Sequence, residues 1–355
     1  MVVTGAAGGG PEHLAPDSVE ALAAALRQAT ENRRVIQVVG GGTRQGYGSP
    51  PPPDVFLEMS GFSGIEEWDP DDLTVTAGAG TPVAELESLL ASRAQTAVLP
   101  EVPGGSTVGG VIASGVSSLR RGRLLGTRER MLEVRLVTGD GRVVRGGGRV
   151  VKNVSGYDLP RLVVGAFGSL GVIYSVCLKL WPMPRAAATV TIDDLEAAGR
   201  VTRPLAVLSD NGVIRVFLWG TPEEVVATSA RLGGVVSEGL RWPADPQGPF
   251  RWSLRVPPAL IGTALERLPG RWRHLAVYGA GDIRAASNDA EGAQDLRDWA
   301  EGVGGALVTV ARPPGGDAGL DPWGSPPPGL GIQRRLIAQF DPARVINPGR
   351  LPGGI

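Results

Sequence analysis

PGGSTVGGVIASG, residues 103–115, combines five glycines with three hydroxyl side chains and otherwise only Pro103 and small apolar residues. Such a backbone reaches positive φ at little cost and lets a ligand approach its N–H groups closely. Rows of N–H groups form concave anion sites, and Ser and Thr hydroxyls add donors. The stretch therefore predicts a pyrophosphate-binding segment. A flexible surface loop is the alternative, although the spacing of Val108, Val111 and Ile112 favours an ordered, buried segment.

A second glycine run, Gly40–Gly41–Gly42–Thr43, directly follows a predicted strand at residues 34–39. Glycines after a strand are typical of the dinucleotide-binding fold, which requires a helix to begin there. Four prolines at 50–53 come too soon, because each proline inside a helix costs about 3 kcal/mol. The turn is therefore expected to bind phosphate without a following helix, which excludes the common NAD-binding fold.

Composition narrows the function classes further. The chain has 355 residues, which favours two domains, and its formal net charge of −1 gives no indication of nucleic-acid binding. A single cysteine, Cys177, excludes intrachain disulfides and an iron–sulfur cluster held by this chain alone. With only His13 and His274, we expect no metal site.

Targeting signals are not evident in the sequence. The N-terminal residues lack the basic start and long apolar run of a signal peptide, and the most apolar stretch, 162–181, contains three glycines and Lys179. We interpret that stretch as a buried loop and strand rather than a membrane span, and we expect a cytoplasmic protein.

Periodicity in the first half predicts a helix from Val19, with Asp17 as its cap and Glu20 completing a capping box. Thr81 is expected to cap a second helix, with Pro82 at its first position. A hairpin turn is predicted at 138–141 and a strand at 173–180. We place a domain boundary near Arg185.

The residues from 186 to 314 alternate between strand and helix patterns, which favours an antiparallel sheet with helices on one face. The predicted strands are 188–192, 213–219, 252–256, 273–278 and 306–310, and the predicted helices are 222–232, 258–268 and 290–302. A linker at 316–329 is followed by a short amphipathic helix at 332–340.

Five motifs in order now indicate a family. They are GGGT at Gly40–Thr43, PGGSTVGG at Pro103–Gly110, KNVSGYDL at Lys152–Leu159, GSLGV at Gly168–Val172 and FDPARVINPGRL at Phe340–Leu351. Together they resemble the FAD-linked oxidase family that shares the vanillyl-alcohol oxidase, or PCMH-type, FAD domain. The similarity covers about half the chain closely, mainly before residue 185 and after residue 331.

The resemblance implies an α+β fold in three parts. Residues 1–185 would form a PCMH-type FAD-binding domain of two α/β subdomains, residues 186–330 an α/β cap (substrate) domain with an antiparallel sheet, and residues 331–355 a segment returning to the FAD domain. It also implies which residues hold FAD: Gly40, Gly41, Gly42, Thr43, Pro103, Gly104, Gly105, Ser106, Thr107, Gly109 and Gly110 at the pyrophosphate, Ser114 and Gly115 near the isoalloxazine, Gly171, Val172 and Ile173 at the adenine end, and Asn347 near the flavin. The KNVSGYDL stretch would contact FAD directly or support its site as a hydrogen-bonded loop.

By the same resemblance, the chain would be the FAD-binding subunit of a glycolate (2-hydroxy acid) oxidase or dehydrogenase complex. Its partners would be a larger flavoprotein subunit and an iron–sulfur subunit, and its substrate a small 2-hydroxy acid. Some family members attach FAD through a histidine in the first loop, which this chain lacks, so non-covalent FAD is expected.

Oxidation of a hydroxy acid needs a group that accepts the hydroxyl proton, and the five motifs contain no evident candidate for it. Larger relatives carry a histidine-rich cap motif, whereas this cap has only His274, a weak catalytic candidate that is more often structural in such a strand. Cap arginines Arg251, Arg255, Arg271, Arg273 and Arg284 would clamp a carboxylate or lie at the surface. Two alternatives stay open: a self-sufficient FAD-dependent alcohol or hydroxy-acid oxidoreductase, and a non-catalytic partner subunit.

Overall fold

The computed structural model describes residues 2–4 (backbone only), 10–102, 104–148, 157–316 and 319–355. The chain divides into two compact units. The first contains the residues up to Ser118, Gly126–Met183 and Pro327–Ile355, and the second contains Leu119–Leu125 and Pro184–Pro326.

The strands of the first unit are β1 (Val2–Thr4), β2 (Glu12–Ala15), β3 (Ile36–Val39), β4 (Val55–Glu58), β5 (Ile65–Asp69), β6 (Thr74–Gly78), β7 (Gln95–Thr96), β8 (Met131–Val137), β9 (Val143–Gly147), β10 (Val172–Lys179) and β11 (Trp181–Pro182). Those of the second unit are β12 (Ala186–Ile192), β13 (Ala206–Asp210), β14 (Val213–Gly220), β15 (Val235–Glu238), β16 (Phe250–Arg255), β17 (Arg273–Tyr278), β18 (Asp282–Ser287) and β19 (Ala306–Ala311).

The helices are α1 (Val19–Glu31), α2 (Val83–Ala91), α3 (Val108–Ser114), α4 (Arg121–Leu124), α5 (Leu159–Leu162), α6 (Leu195–Gly199), α7 (Pro222–Leu232), α8 (Ile261–Arg267), α9 (Ala293–Gly302) and α10 (Leu330–Phe340). Short 3-10 turns occupy Met59–Gly61, Thr127–Arg130, Pro258–Leu260 and Pro352–Gly354.

Two larger sheets and the two-stranded antiparallel pair β7–β11 make up the described sheets of the first unit. One has the order β1-β2-β4-β3, with β4 parallel to both of its neighbours. Helix α1 covers it, because Leu22 and Leu26 are buried against Leu57 and Ile346. The second sheet has the order β5-β6-β10-β8-β9 and is antiparallel throughout. The mixture of helices with parallel and antiparallel sheets confirms the predicted α+β class.

The central glycine stretch lies against the second sheet. Val108, Val111 and Ile112 are buried in one core with Leu136 and Val176. These apolar side chains fix the segment as helix α3, so the interpretation as an ordered, buried segment is confirmed and the flexible-loop alternative is wrong.

Both predicted helix caps in the first unit are wrong by one residue. Ser18, not Asp17, caps α1 and accepts a hydrogen bond from the Ala21 N–H at 3.3 Å. Helix α2 begins at Val83, after Pro82, and the Thr81 hydroxyl instead donates to the Gly64 carbonyl at 3.0 Å. Neighbouring polar residues compete for a cap, and the tertiary position of the backbone decides between them.

The second unit is built on one antiparallel sheet of order β15-β12-β14-β13-β17-β18-β16-β19, which confirms the predicted antiparallel pairing. Strands β13, β15 and β18 and helix α6 were not predicted, and the Pro258–Leu260 turn was predicted as part of the helix that contains α8. Strand β18 reads DIRAAS, and its small residues give no clear strand pattern.

No helix among the described residues is both long and apolar enough to span a membrane. Nor do three or more His, Cys, Asp or Glu side chains of the described ranges come together as a potential metal-ligand set.

Candidate functional site

The first glycine run leaves β3 as an irregular turn, and the next regular element is strand β4. The prediction of a glycine turn without a following helix is therefore confirmed. Among the described residues, no acceptor pairs with the backbone N–H of Gly41, Gly42 or Thr43. A run of backbone N–H groups without protein acceptors is able to donate to an anion.

The second run enters helix α3. Thr107 is the N-cap, and its hydroxyl accepts from the Gly110 N–H at 3.3 Å. Ser106 and Thr107 are buried, yet their backbone N–H groups have no acceptor in the part of the chain that the structure describes. Buried backbone donors almost always have a partner, so this edge of the cleft fits a ligand that accepts hydrogen bonds.

The two runs meet directly. The hydroxyl oxygens of Thr43 and Ser106 lie 3.1 Å apart. A Cβ atom on Gly41 would lie 2.6 Å from the carbonyl carbon of Gly105 and would overlap its oxygen. Only glycine at position 41 permits this approach. The chain thus places the two glycine runs on facing walls of one cleft.

This cleft lies within the first unit and opens to solvent on one side. It brings together most of the predicted cofactor residues, namely Gly40, Gly41, Gly42, Thr43, Ser106, Thr107, Gly109, Gly110, Ser114, Gly171, Val172, Ile173 and Asn347.

Three predicted residues are not part of this wall, and a fourth cannot be placed relative to it. Gly104, Gly105 and Gly115 do not line the cleft, and Pro103 lies outside the described residues. Gly115 has φ +66 at the end of α3, and a Cβ there would lie 2.8 Å from the Gly165 Cα. The close backbone contact with Gly165, rather than a ligand, therefore explains why position 115 is a glycine.

The hydroxyl of Ser114 lines the cleft but is already engaged, because it donates to the Gly110 carbonyl at 2.7 Å. In the KNVSGYDL stretch, residues 152–156 lie outside the described residues. Of the remainder, Asp158 caps α5 by accepting from the Arg161 N–H at 3.2 Å.

Asn347 joins three segments of the cleft wall. Its Oδ1 accepts from the Val38 N–H at 2.9 Å, and its Nδ2 donates to the Phe167 carbonyl at 2.8 Å. Its own N–H donates to the Ile36 carbonyl at 2.9 Å, and its φ is +47. Asn tolerates this left-handed backbone better than most residues. Asn347, which the family resemblance implies lies near the flavin, thus holds together the strand and loop that form the wall.

Several wall residues were missed by the sequence analysis, including Arg44, Gln45, Phe167 and Arg350. Arg350 is 3% exposed and donates from Nη1 to the Gln45 carbonyl at 2.6 Å. Burial lowers the pKa of Arg350 to about 10, so it stays protonated at neutral pH. Its place directly after Asn347–Pro348–Gly349 was the signal that could have identified it.

Within the described residues, the cleft wall contains no His, Asp, Glu, Lys, Tyr or Cys. The wall therefore offers no proton acceptor with a suitable pKa and no side chain of the kinds that attach a flavin covalently. Its ionisable residues are Arg44 and Arg350, which carry positive charge. The chemistry of this wall suits binding of an anion rather than acid–base catalysis.

His274, the weak catalytic candidate, lies in β17 of the second unit. Burial lowers the pKa of its imidazole, although a hydrogen bond with the Trp272 backbone opposes the shift, and the lowered pKa favours the neutral ring. Three of the candidate cap arginines contact acids of their own unit: Arg255 with Asp282, Arg271 with Asp289 and Arg284 with Asp245.

Comparison with known proteins agrees with this geometry. The profile described as FAD binding domain matches residues 13–147. Glycolate oxidase subunit GlcE of Escherichia coli (strain K12) is 31% identical over 94% of this chain and 97% of its own length.

Other relatives match over part of their length. Glycolate oxidase subunit GlcD of Bacillus subtilis (strain 168) is 28% identical over 67% of this chain and 51% of its own. D-2-hydroxyglutarate dehydrogenase of Xanthomonas citri pv. viticola is 31% identical over 48% of this chain and 36% of its own. A solved structure of alkyldihydroxyacetonephosphate synthase superposes with a TM-score of 0.67 over 95% of this chain and 76% of that one; at 15% identity this similarity concerns the fold.

Proposed function

The chain belongs to the family of FAD-linked oxidase subunits that includes glycolate oxidase subunit GlcE, and from this premise we propose that it is the FAD-binding subunit of a glycolate (2-hydroxy acid) oxidase or dehydrogenase complex. FAD, when bound, supplies a two-electron acceptor for the oxidation of a CH–OH group. The chain's own contribution is to bind and orient that cofactor.

One observation carries this proposal: two glycine runs from distant parts of the sequence meet at the Thr43 and Ser106 hydroxyls, 3.1 Å apart. Backbone N–H groups on the two facing loops can both donate hydrogen bonds to a diphosphate, and the two hydroxyls can donate to its remaining oxygens. Glycine at 40, 41 and 109 lets the walls approach as closely as they do, since a Cβ at each would collide with a neighbouring residue. Non-covalent attachment is supported by the absence of His, Cys and Tyr from the described cleft wall.

The described cleft wall has no base, and this supports a reaction whose steps are divided between subunits. Oxidation of a hydroxy acid needs a group that accepts the hydroxyl proton. The described wall has none, and one cysteine is too few for an iron–sulfur cluster. We therefore assign the base and the onward electron carrier to partners, a larger flavoprotein subunit and an iron–sulfur subunit, in a cytoplasmic complex.

FAD binding is tested by the absorption spectrum of the purified protein before and after incubation with FAD. We expect flavin bands that persist through gel filtration, and release of all the flavin into the supernatant after acid precipitation. A spectrum without flavin after reconstitution would overturn the proposal and favour a non-catalytic subunit. Flavin that stays with the precipitate would refute non-covalent attachment alone.

Division of labour gives a separate prediction. The isolated, flavin-loaded chain should reduce an artificial electron acceptor with glycolate at less than about 1% of the rate of the chain co-purified with its partners, because loss of a general base typically costs 10²–10⁴-fold. Steady-state assays of the two preparations measure the ratio. Full turnover by the isolated chain, abolished by His274→Ala with FAD still bound, would instead favour a self-sufficient oxidoreductase.

A further inference from the structure

Arg350 presents a buried positive charge that the binding of FAD by the glycine loops does not explain. The residue is 3% exposed and follows Asn347–Pro348–Gly349 at the end of the chain's return to the first unit. No carboxylate among the described residues forms an ion pair with it, and burial is the cause of its lowered pKa of about 10. A buried charge without an opposite charge is expensive.

The contacts of Arg350 are with neutral acceptors. Nη1 donates to the carbonyls of Gln45 at 2.6 Å and Tyr47 at 3.2 Å, and Nη2 donates to the Gln45 side-chain oxygen. A guanidinium has five N–H donors, so donors remain after these contacts are made. The bonds orient the guanidinium without neutralising it.

No acid among the described wall residues compensates the charge of Arg350. Arg350 lines the same cleft as Gly41 and Ser106, and none of the described wall residues is acidic. The loop that it holds, at Gln45 and Tyr47, directly continues the first glycine run. A ligand with negative charge at this run would therefore face a fixed cation that is already oriented.

We propose that Arg350 is a binding residue whose fixed positive charge recognises the diphosphate of the nucleotide cofactor. This inference rests on the proposed function and deepens it, because it assigns part of the affinity to charge recognition by a side chain rather than to the backbone loops. Hydrogen bonds from a charged donor to a phosphate are roughly twice as strong as neutral ones.

The competing role for Arg350 is purely structural. In that role its hydrogen bonds tie the loop that follows Thr43 to the C-terminal segment, and its charge takes no part in binding. Two variants separate the roles. Arg350→Gln keeps an amide donor for the loop carbonyls but removes the charge, whereas Arg350→Lys keeps the charge and loses the planar fork.

The matched control is Arg27→Gln. Arg27 belongs to the same unit and also donates to a backbone carbonyl, that of Gly141, at 3.2 Å, but it does not line the cleft. Both glutamine variants lower the net charge by the same amount, so general electrostatics affects them alike.

The experiment measures the FAD dissociation constant of the apoprotein by fluorescence titration at low and high salt, together with the melting temperature of each apoprotein. We expect Arg350→Gln to weaken FAD binding about 10- to 100-fold and to flatten its salt dependence, Arg350→Lys to weaken it by less than about 10-fold, and Arg27→Gln to leave it unchanged.

Wild-type FAD affinity in Arg350→Gln would overturn the inference. Equal losses of FAD affinity in the glutamine and lysine variants, with equally lowered melting temperatures, would also overturn it, because they would indicate that Arg350 only anchors the loop. Neither result would affect the proposed function, which is tested separately by FAD binding and turnover of the wild-type chain.

Discussion

Gly41→Ala should yield a folded protein that no longer retains FAD, with an affinity at least about 100-fold below that of the wild type. A Cβ at this position would overlap the Gly105 carbonyl oxygen, and neither atom belongs to a flexible side chain that could move aside. The two loops must separate, which breaks the contact between Thr43 and Ser106. Overpacking of this kind typically costs about 1–3 kcal/mol, and the loss of the facing donors adds to it.

Gly104→Ala is the matched control, since it adds the same methyl group to the opposite loop. No atom lies within 4 Å of a Cβ at Gly104, and its φ is not in the left-handed region. We expect FAD affinity within about threefold of the wild type. The measurements are flavin content after purification, FAD titration of the apoprotein and far-UV circular dichroism. Normal FAD retention by Gly41→Ala, with its fold intact, would contradict the two-loop site.

Asn347→Asp should also weaken FAD binding by at least about 100-fold. The variant keeps the acceptor for the Val38 N–H but places a carboxylate oxygen against the Phe167 carbonyl, where the amide now donates at 2.8 Å. Asn347 is 8% exposed, so the new negative charge would be mostly buried. It would also repel a diphosphate in the cleft that Asn347 lines.

Asn347→Gly removes the two side-chain hydrogen bonds by which Asn347 acts as a clamp between Val38 and Phe167, and it adds no charge. Glycine adopts φ +47 without strain, but both side-chain hydrogen bonds are lost, and each unpaired buried group costs about 1–3 kcal/mol. We expect faster hydrogen exchange in the peptide that contains Val38 and a lower melting temperature.

Asn211→Gly serves as the control for Asn347→Gly. Asn211 also has positive φ, +49, but its side-chain bonds with Asp210 and the His274 N–H are exposed and lie in the second unit. We expect its FAD affinity and the exchange of Val38 to match those of the wild type. Unchanged exchange at Val38 in Asn347→Gly would show that Asn347 does not act as a clamp.

Secondary structure was most predictable where periodicity was strong. Helix α7 and strand β17 begin and end at the predicted residues, because proline, glycine and regular apolar spacing mark them clearly. Strand β15, whose side chains are all exposed, and the alanine-rich β18 gave no such pattern. Their strand conformation depends on pairing with distant segments.

The sequence alone determined that this chain carries two side-chain-poor runs, that the first has no helix after it, and that one cysteine and two histidines leave few options for metal or redox chemistry. These are local properties of glycine, proline and composition. Tertiary structure alone decided that Gly41 meets Gly105, that Asn347 is a clamp, and that Arg350 is a buried cation in a described wall without acids. Each of these depends on contacts between residues far apart in the sequence. Thr43 and Ser106 are 63 residues apart, and Val38 and Asn347 are 309 residues apart. Local sequence patterns carry no information about such contacts.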